Sequence, residues 1–315
     1  MTDVASRPEP RSEPRPASHA GRDDEPLLHI VDGELVVTER RGALAGLLHW
    51  FGEPMRAAWH HRDLIMAILR RELNERFKGS MAGWVWAIVA PFLALVTYTL
   101  AFSGAVKLPN QVEAASQFDY ALFIFGGLIA YSFFSEMAFR GPSLLHEYAH
   151  FIKQTMFPAE MLPIISTLRA TVYALIGLVV MLAAQIVLTG TVYWTLVLLP
   201  IWLIPFLAFL IGMTWFLAAL GAFTRDAAYL MMTLAPILMF ATPVFWSIDG
   251  FSPNVRLLMY LNPLTGFIEI IRHLTVLGSL PRLPVVAWTL LLSLVSFYFG
   301  FWFFRRQRDR IADVI

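Results

Sequence analysis

Residues 71–102 read RELNERFKGSMAGWVWAIVAPFLALVTYTLAF, and this stretch joins two kinds of sequence. Its beginning belongs to a basic segment in which large apolar residues recur at helical spacing, which predicts an amphipathic helix. These apolar residues are Leu64, Ile65, Ile68, Leu69 and Leu73. Residues 84–103 carry no charge and are long enough to cross a hydrocarbon core, which takes about 20 residues. A cationic, water-facing helix is therefore expected to run directly into a membrane span.

The composition places the whole chain in the same class. Of its 315 residues, 57% are hydrophobic and only 15% are charged, against roughly a quarter charged in soluble domains. We therefore expect an integral membrane protein with membrane lipids around it and no nucleic-acid partner. The chain has no cysteine, which excludes disulfide bonds and thiolate metal sites.

The N-terminal region differs from the rest. Residues 1–25 are rich in proline and charge and contain no apolar signal segment, so a disordered tail is expected. Asp32-Gly33 lies between two apolar runs in residues 27–37, which indicates either a β-hairpin or a partly ordered linker. We therefore predict a disordered or weakly structured cytoplasmic tail over residues 1–50 and a transmembrane domain over residues 51–315.

Six apolar segments predict six spans. They cover about residues 84–103, 120–139, 161–188, 196–222, 227–248 and 284–304, and the fifth contains Pro236 and Pro243. Six spans place both termini on one side of the membrane. Lysine and arginine near the membrane are concentrated on that side, so the positive-inside rule makes both termini cytoplasmic.

The sharpest motif match is His146-Glu147-Tyr148-Ala149-His150, an HExxH sequence. On one continuous helix, two such histidines can share a zinc ion while the glutamate acts as a base. In the predicted topology, however, the motif lies in a cytoplasmic loop, and Asp249, the candidate third ligand, lies about 30 Å away across the membrane. A membrane zinc protease is therefore a weak alternative, and we expect no metal site.

Few other residues suggest chemistry. The chain has no phosphate-binding GxxxxGK[ST] sequence, so ATP and magnesium would be bound by a separate subunit and this chain would hold no cofactor. Glu136 precedes Arg140 by four residues, which predicts a pair on one helix face. Arg169 is expected to reach the membrane interface. Span centres carry no carboxylate, which disfavours proton- or sodium-coupled transport.

Aromatic residues suggest a path for sugars. A 100° step along the first span places Trp84, Leu95, Tyr98 and Phe102 on one stripe, and Tyr229, Pro236 and Phe240 share a face of the fifth. Such faces can stack against sugar rings. Aromatic residues that pack between helices or lie at the membrane interface give the same pattern. We treat Trp84, Tyr98, Phe102, Tyr229 and Phe240 as candidate path residues.

Three separate motifs resemble one family. The first is the entry into the first span, the second lies between spans two and three, and the third precedes the last span. Their residues are Arg71, Arg76-Phe77-Lys78, Ser80, Gly83, Trp86 and Pro91; then Lys153 and Phe157-Pro158; then Asn262-Pro263-Leu264, Glu269, Arg272 and Gly278. In this order the motifs resemble ABC-2-type polysaccharide export permeases over about residues 55–310. The chain departs from the family at Tyr131, where relatives usually have tryptophan.

The resemblance implies a homodimer that pairs with two copies of an ABC ATPase subunit. It implies an interfacial helix over residues 62–77, with Arg71, Arg76 and Lys78. Residues 140–158 would form a coupling helix that docks on the ATPase through Glu147, Tyr148, Phe151 and Lys153. Residues 262–278 would form re-entrant helices at an outer gate, with Asn262, Pro263, Glu269 and Arg272.

We therefore expect an all-α membrane protein: six transmembrane helices plus an N-terminal interfacial helix, a cytoplasmic coupling helix and outer re-entrant helices. It would be a non-enzymatic subunit that exports lipid-linked polysaccharide, such as O-antigen or capsule, across the inner membrane. The first alternative is an ABC-2-type exporter of drugs or small lipids. A membrane glycosyltransferase is disfavoured because the sequence shows no clustered carboxylates.

Overall fold

The computed structural model describes residues 27–31, 34–38, 43–102, 117–155 and 158–314, with side chains from residue 52 onward except those of residues 102, 117, 154, 155, 309, 312 and 313. The predicted tail over residues 1–25 and Lys107, in the loop after the first span, lie outside the described residues. The chain divides into two compact units, residues 1–56 and 57–315. In the first unit, strands β1 (Leu27–Val31) and β2 (Glu34–Thr38) pair antiparallel with Val31 opposite Glu34, which confirms the predicted hairpin.

Helices dominate the remainder of the described chain. In order, they are α1 (Ala43–His60), α2 (Arg62–Glu75), α3 (Val85–Phe102), α4 (Gln117–Arg140), α5 (Leu144–Glu147), α6 (Ala149–Thr155), α7 (Met161–Thr189), α8 (Leu199–Phe223), α9 (Asp226–Ala241), α10 (Pro253–Leu261), α11 (Pro263–Thr275) and α12 (Leu283–Val314). Short 3-10 turns precede α5, α8 and α10. The predicted amphipathic helix is α2, whose apolar face buries Ile65 and Leu69.

Within the described residues, four helical stretches are long and apolar enough to cross a membrane. They are Phe118–Glu147, Met161–Thr189, Trp194–Phe223 and Leu283–Arg308. The other two predicted spans correspond to shorter apolar helices, Val85–Ala101 and Asp226–Ala241. The structure is thus that of a helical membrane protein, in which two of the six predicted spans are helices of fewer than 20 residues.

The fifth apolar segment ends earlier than predicted. Helix α9 stops at Ala241, and Thr242 adopts an extended conformation, with φ −101° and ψ 143°. The reason is Pro243, because the residue before a proline is disfavoured in the α conformation. Pro243 therefore lies beyond the helix of the fifth segment, whereas Pro236 lies within α9. Residues 242–247 carry backbone carbonyls that no continuing helix satisfies.

Helices α8 and α12 pack unusually closely. A Cβ on Gly212 would lie 2.2 Å from the Ser296 carbonyl oxygen, and one on Gly300 would lie 2.0 Å from the Gly212 carbonyl oxygen. Only glycine allows such an approach, a common device of membrane helix pairs. The Ser296 hydroxyl donates to the Phe209 carbonyl at 2.9 Å and fixes the same pair. Helix α8 of this pair also contacts the turn formed by residues 141–143.

Candidate functional site

A network of charged side chains lies at one end of the bundle, where α2, α4, α5 and α7 meet. Its centre is Glu72, whose side chain is only 4% exposed. Arg140 binds this carboxylate through both terminal nitrogens, at 2.9 Å and 3.2 Å, and Arg169 approaches it to 3.3 Å. The Tyr148 hydroxyl also donates to Glu72. One buried carboxylate therefore joins four helical segments of the chain.

The environment fixes the protonation state of this centre. Burial alone raises the pKa of Glu72, but the hydrogen bonds and charge of Arg140, with smaller contributions from Tyr148 and Arg169, hold it below its ordinary value. Burial, and then the bond to Glu72, raises the pKa of Tyr148. Glu72 is therefore an anion and Tyr148 a neutral donor throughout the physiological range. A bidentate guanidinium contact adds directional specificity to the charge attraction.

The second carboxylate of the network is Glu136. The same oxygen, Oε1, lies 2.8 Å from Arg169 and 3.3 Å from Arg76. The predicted pair of Glu136 with Arg140 is therefore wrong, because Arg140 turns toward Glu72 and Glu147 instead. Arg169, which was expected to reach the membrane interface, is 14% exposed and paired with Glu72 and Glu136. Helical spacing could not reveal these choices, because both depend on partners from other helices.

The predicted coupling helix consists of separate pieces. A 3-10 turn, Gly141–Ser143, leads into α5, and Tyr148 interrupts the helix with φ −109° and ψ 12° before α6 begins. Tyr148 is 7% exposed and packs in the interior, which corrects the expectation that its ring belongs to an exposed docking stripe. Glu147, Phe151 and Lys153 do face outward.

The break also affects the HExxH sequence. His146 and His150 are both exposed but lie on different helices, so they are not one turn apart on a continuous helix. Glu147 is committed to Arg140 at 3.2 Å and to the Ser143 hydroxyl at 3.2 Å. Within the described part of the chain, no group of three or more metal-ligating side chains is assembled.

The start of the coupling segment is fixed to α8. A Cβ on Gly221 would lie 1.9 Å from the Pro142 carbonyl oxygen, and one on Gly141 would lie 3.0 Å from Leu217. The 3-10 turn therefore lies directly against the backbone of α8. The segment 141–147 is thus held against α8, and the residues on either side of it, Arg140 and Tyr148, bind Glu72 of α2.

Arg272 forms a second site toward the opposite end of α4. The side chain is fully buried, and it binds the backbone that follows α9: Nη1 donates to the Pro243 carbonyl at 2.6 Å, and Nη2 donates to the Val244 carbonyl. Nε donates to the Phe123 carbonyl at 2.9 Å, and the guanidinium stacks 3.6 Å from the Phe123 ring centroid. Arg272 thus satisfies the carbonyls that the end of α9 leaves free and ties α4, α9 and α11 together.

The other predicted gate residues surround this clamp. Asn262 caps α11 by accepting from the Leu264 amide at 3.0 Å, and it donates to the Thr242 hydroxyl at 2.7 Å. Pro263 follows as the first helical residue, a favourable position for proline. Glu269 lies on the same helix, where burial raises its pKa to about 7 against the opposing charge of Arg272.

The predicted aromatic path is divided by the structure. Tyr98 is partly buried against α4 and α7, and Trp84 packs with Phe77 at 5.5 Å and with Tyr173 at 6.4 Å. Leu95 and Tyr98 therefore face the interior of the protomer, whereas Trp84 remains 43% exposed. The side chain of Phe102 lies outside the described residues. Tyr229 and Phe240, in contrast, are 67% and 60% exposed on α9.

Sequence reasoning missed the pairing of Glu72 with Arg140, although the position of Glu72 in the sequence of α2 indicated that it needs a partner. Glu72 follows Ile65 and Leu69 at intervals of seven and three residues, so the carboxylate lies on the apolar face of α2. A charge on a buried face requires a partner. That partner is Arg140, 68 residues away.

Comparison with known proteins places this arrangement in a family. The ABC-2 type transporter model matches residues 63–276, which include both the ion network and the Arg272 clamp. The chain belongs to the ABC-2 type transporter family. Its relatives include the O-antigen export system permease protein RfbA of Myxococcus xanthus, which is 24% identical over 83% of this chain and 98% of the relative. Proteins of the same name from Klebsiella pneumoniae are 23% and 24% identical over 80% of this chain and 95% of each relative.

Proposed function

We propose that this ABC-2 chain is the membrane subunit of an ATP-driven exporter that moves lipid-linked polysaccharide from the cytoplasmic to the outer side of the inner membrane. The observation that carries the proposal is the match to three O-antigen export permeases over nearly their full lengths. The chain itself performs no covalent chemistry in this role. ATP and magnesium are bound by a separate ATPase subunit.

The proposed topology has six passes with both termini in the cytoplasm, and α3 and α9 supply the two short ones. Helices α10 and α11 then re-enter from the outer side. Two copies of the chain assemble, and the exposed apolar faces of α3 and α9 would lie against lipid or against the second copy.

Single cysteines can test this topology, because the natural chain contains none. A cysteine replacing Lys153 should react with a membrane-impermeant maleimide only from the cytoplasmic side. A cysteine replacing Arg256 should react only from the outside. Both positions labelled from the same side would contradict the topology.

The segment Gly141–Thr155 is the proposed coupling element for two ATPase copies. Its outward-facing Glu147, Phe151 and Lys153 offer the docking surface, while Tyr148 anchors the segment to Glu72. When the ATPases close, the segment moves as a lever, and its contacts with α2 and α8 transmit the displacement to the spans. Nucleotide can shift the pore from one conformation to the other only if the nucleotide-bound ATPases favour one of these two conformations in free energy.

A photocrosslinker at Phe151 tests this docking. It should capture an ATPase subunit in the assembled exporter, whereas one at Val179, which is 64% exposed on α7, should capture none. A clean negative at Phe151 in an assembled, active complex would remove the docking claim.

The proposed path for the polymer uses α9, where Tyr229 and Phe240 remain exposed. At the outer end, the gate is formed by α10 and α11 with Asn262, Pro263, Glu269 and Arg272. Arg272 is the structural tie of this gate, because it binds the segment that joins α9 to α10.

Deleting the gene in cells that make a surface polysaccharide separates the proposal from its alternative. Surface polymer should disappear, lipid-linked polymer should accumulate inside the cell, and the natural gene should restore export. Unchanged surface polymer with increased sensitivity to a drug would instead support the ABC-2 exporter of drugs or small lipids.

A further inference from the structure

A cavity of about 380 Å³ lies within one protomer between α3, α4 and α7. Its volume lies within the range of about 300–1,000 Å³ typical of ligand pockets. Its walls are polar at one end and apolar at the other. The polar end contains Arg76, Ser132, Glu136 and Tyr173, and the apolar end contains Ala94, Tyr98, Phe125, Leu128, Ile129 and Gly177.

The direction of the helices explains this polarity. Helix α4 passes from Phe125 at the apolar end to Glu136 at the polar end, eleven residues or about 16 Å. Helices α3 and α7 pass in the opposite direction, and they line the cavity with small residues that leave room between the backbones. These small residues are Ala90, Pro91, Ala94, Ala170, Ala174 and Gly177. The cavity therefore runs parallel to the spans, as a hydrocarbon chain would.

The polar end presents a cation that is only partly neutralised. Arg76 lies 3.3 Å from Glu136, but the same carboxylate oxygen is held more closely by Arg169 at 2.8 Å. The Arg76 side chain remains 43% exposed and stacks 4.0 Å above the Tyr173 ring. The buried hydroxyl of Tyr173 interacts with Arg76 but makes no hydrogen bond of good geometry among the described residues. A guanidinium beside such a hydroxyl suits a phosphate oxygen.

We propose that this cavity binds one anionic phospholipid of the surrounding bilayer, with its phosphate at Arg76 and Tyr173 and an acyl chain between α3, α4 and α7. Basic pockets between membrane helices are typical sites for anionic headgroups. Phe77 and Trp84 pack against the ring of Tyr173, and aromatic residues are common at headgroup depth. The site lies inside one protomer and does not depend on what the protein exports.

Native mass spectrometry of the purified full-length protein can test the site. Phosphatidylglycerol should bind at one molecule per protomer, and diacylglycerol with the same chains should not be retained, because it lacks the phosphate. Arg76→Gln should weaken phosphatidylglycerol binding about tenfold, the loss expected for one charge-assisted contact. Arg71→Gln is the matched control, since Arg71 lies on α2, five residues before Arg76, but pairs with Glu75 and does not line the cavity.

A second pair of variants tests the acyl-chain end. Ala174→Phe fills the cavity and should abolish retention, whereas Val179→Phe places the same aromatic side chain at an outward-facing position of α7 and should leave it unchanged. Ala94→Met narrows the cavity with less strain and should reduce retention if Ala174→Phe does not fold. Equal retention of diacylglycerol, or equal loss in Arg71→Gln and Arg76→Gln, would overturn the proposal. Displacement by farnesyl diphosphate at lower concentration than phosphatidylglycerol would assign the site to an isoprenoid carrier and overturn the phospholipid assignment.

Discussion

Replacing Glu72 by glutamine should destabilise the protein far more than an ordinary surface change. The substitution preserves shape but removes the charge that faces Arg140 at 2.9 Å and Arg169 at 3.3 Å, in a position where Glu72 is 4% exposed. Removing one partner of a buried pair costs roughly 3–5 kcal/mol. Because Glu147 still faces Arg140 and Glu136 still faces Arg169, we expect about 3 kcal/mol, the lower end of this range.

A double-mutant cycle with Arg140→Gln isolates the pair. Arg140→Gln alone should also cost about 3 kcal/mol, because Glu72 retains Arg169 and Tyr148. The double variant removes both charges together, so its cost should be well below the sum, with a coupling energy of about 2 kcal/mol. The assay is the free energy of unfolding in lipid nanodiscs, measured by denaturant titration.

The exposed pair of Glu75 with Arg71 provides the control. Glu75→Gln breaks the pair with Arg71 on the same helix at 3.3 Å, where both side chains are about half exposed, and should cost about 0.5 kcal/mol. If Glu72→Gln costs no more than Glu75→Gln, or if the two substitutions of the cycle are additive, Glu72 does not organise this end of the bundle.

Four further predictions follow from individual contacts. The pKa of Glu72 is depressed in the folded protein, so its contribution to the free energy of unfolding is fully present above the unfolded-state pKa near 4.5. The stability difference between the natural protein and Glu72→Gln should therefore stay constant from about pH 7 to 5.5 and shrink only as the pH falls below about 4.5. Arg272→Lys should destabilise the folded protein by several kcal/mol, because an ammonium cannot reach the Phe123, Pro243 and Val244 carbonyls together. Each buried carbonyl left unpaired costs about 1–3 kcal/mol. An unfolding free energy equal to that of the natural protein would refute the role of Arg272 as a clamp. Gly221→Ala should reduce stability because its Cβ meets the Pro142 carbonyl at 1.9 Å, whereas Gly177→Ala, whose nearest neighbour is the Ile129 side chain at 3.6 Å, should be nearly neutral in the same unfolding assay. His146→Ala should leave the zinc content of the purified protein unchanged, and loss of stoichiometric zinc would revive the metalloprotease alternative.

The sequence by itself determined the class of protein and the approximate positions of its long apolar helices. Hydropathy and helical period are local properties, so these helices and the basic helix α2 were predictable, while the hairpin between Leu27 and Thr38 was one of two alternatives that the sequence left open. Pro243 was visible as well, but its consequence for α9 required knowing that Arg272 satisfies the carbonyls beyond the helix end. The order of three short motifs was sufficient to indicate the ABC-2 family.

Only the tertiary structure decided which charge meets which. Arg140 could have paired with Glu136 four residues away, yet it pairs with Glu72, 68 residues distant. Tyr148 looked like part of an exposed stripe, but the same carboxylate draws its hydroxyl into the interior. A buried charge must find partners wherever the packing of helices provides them, and that packing is a property of the whole bundle rather than of any single segment.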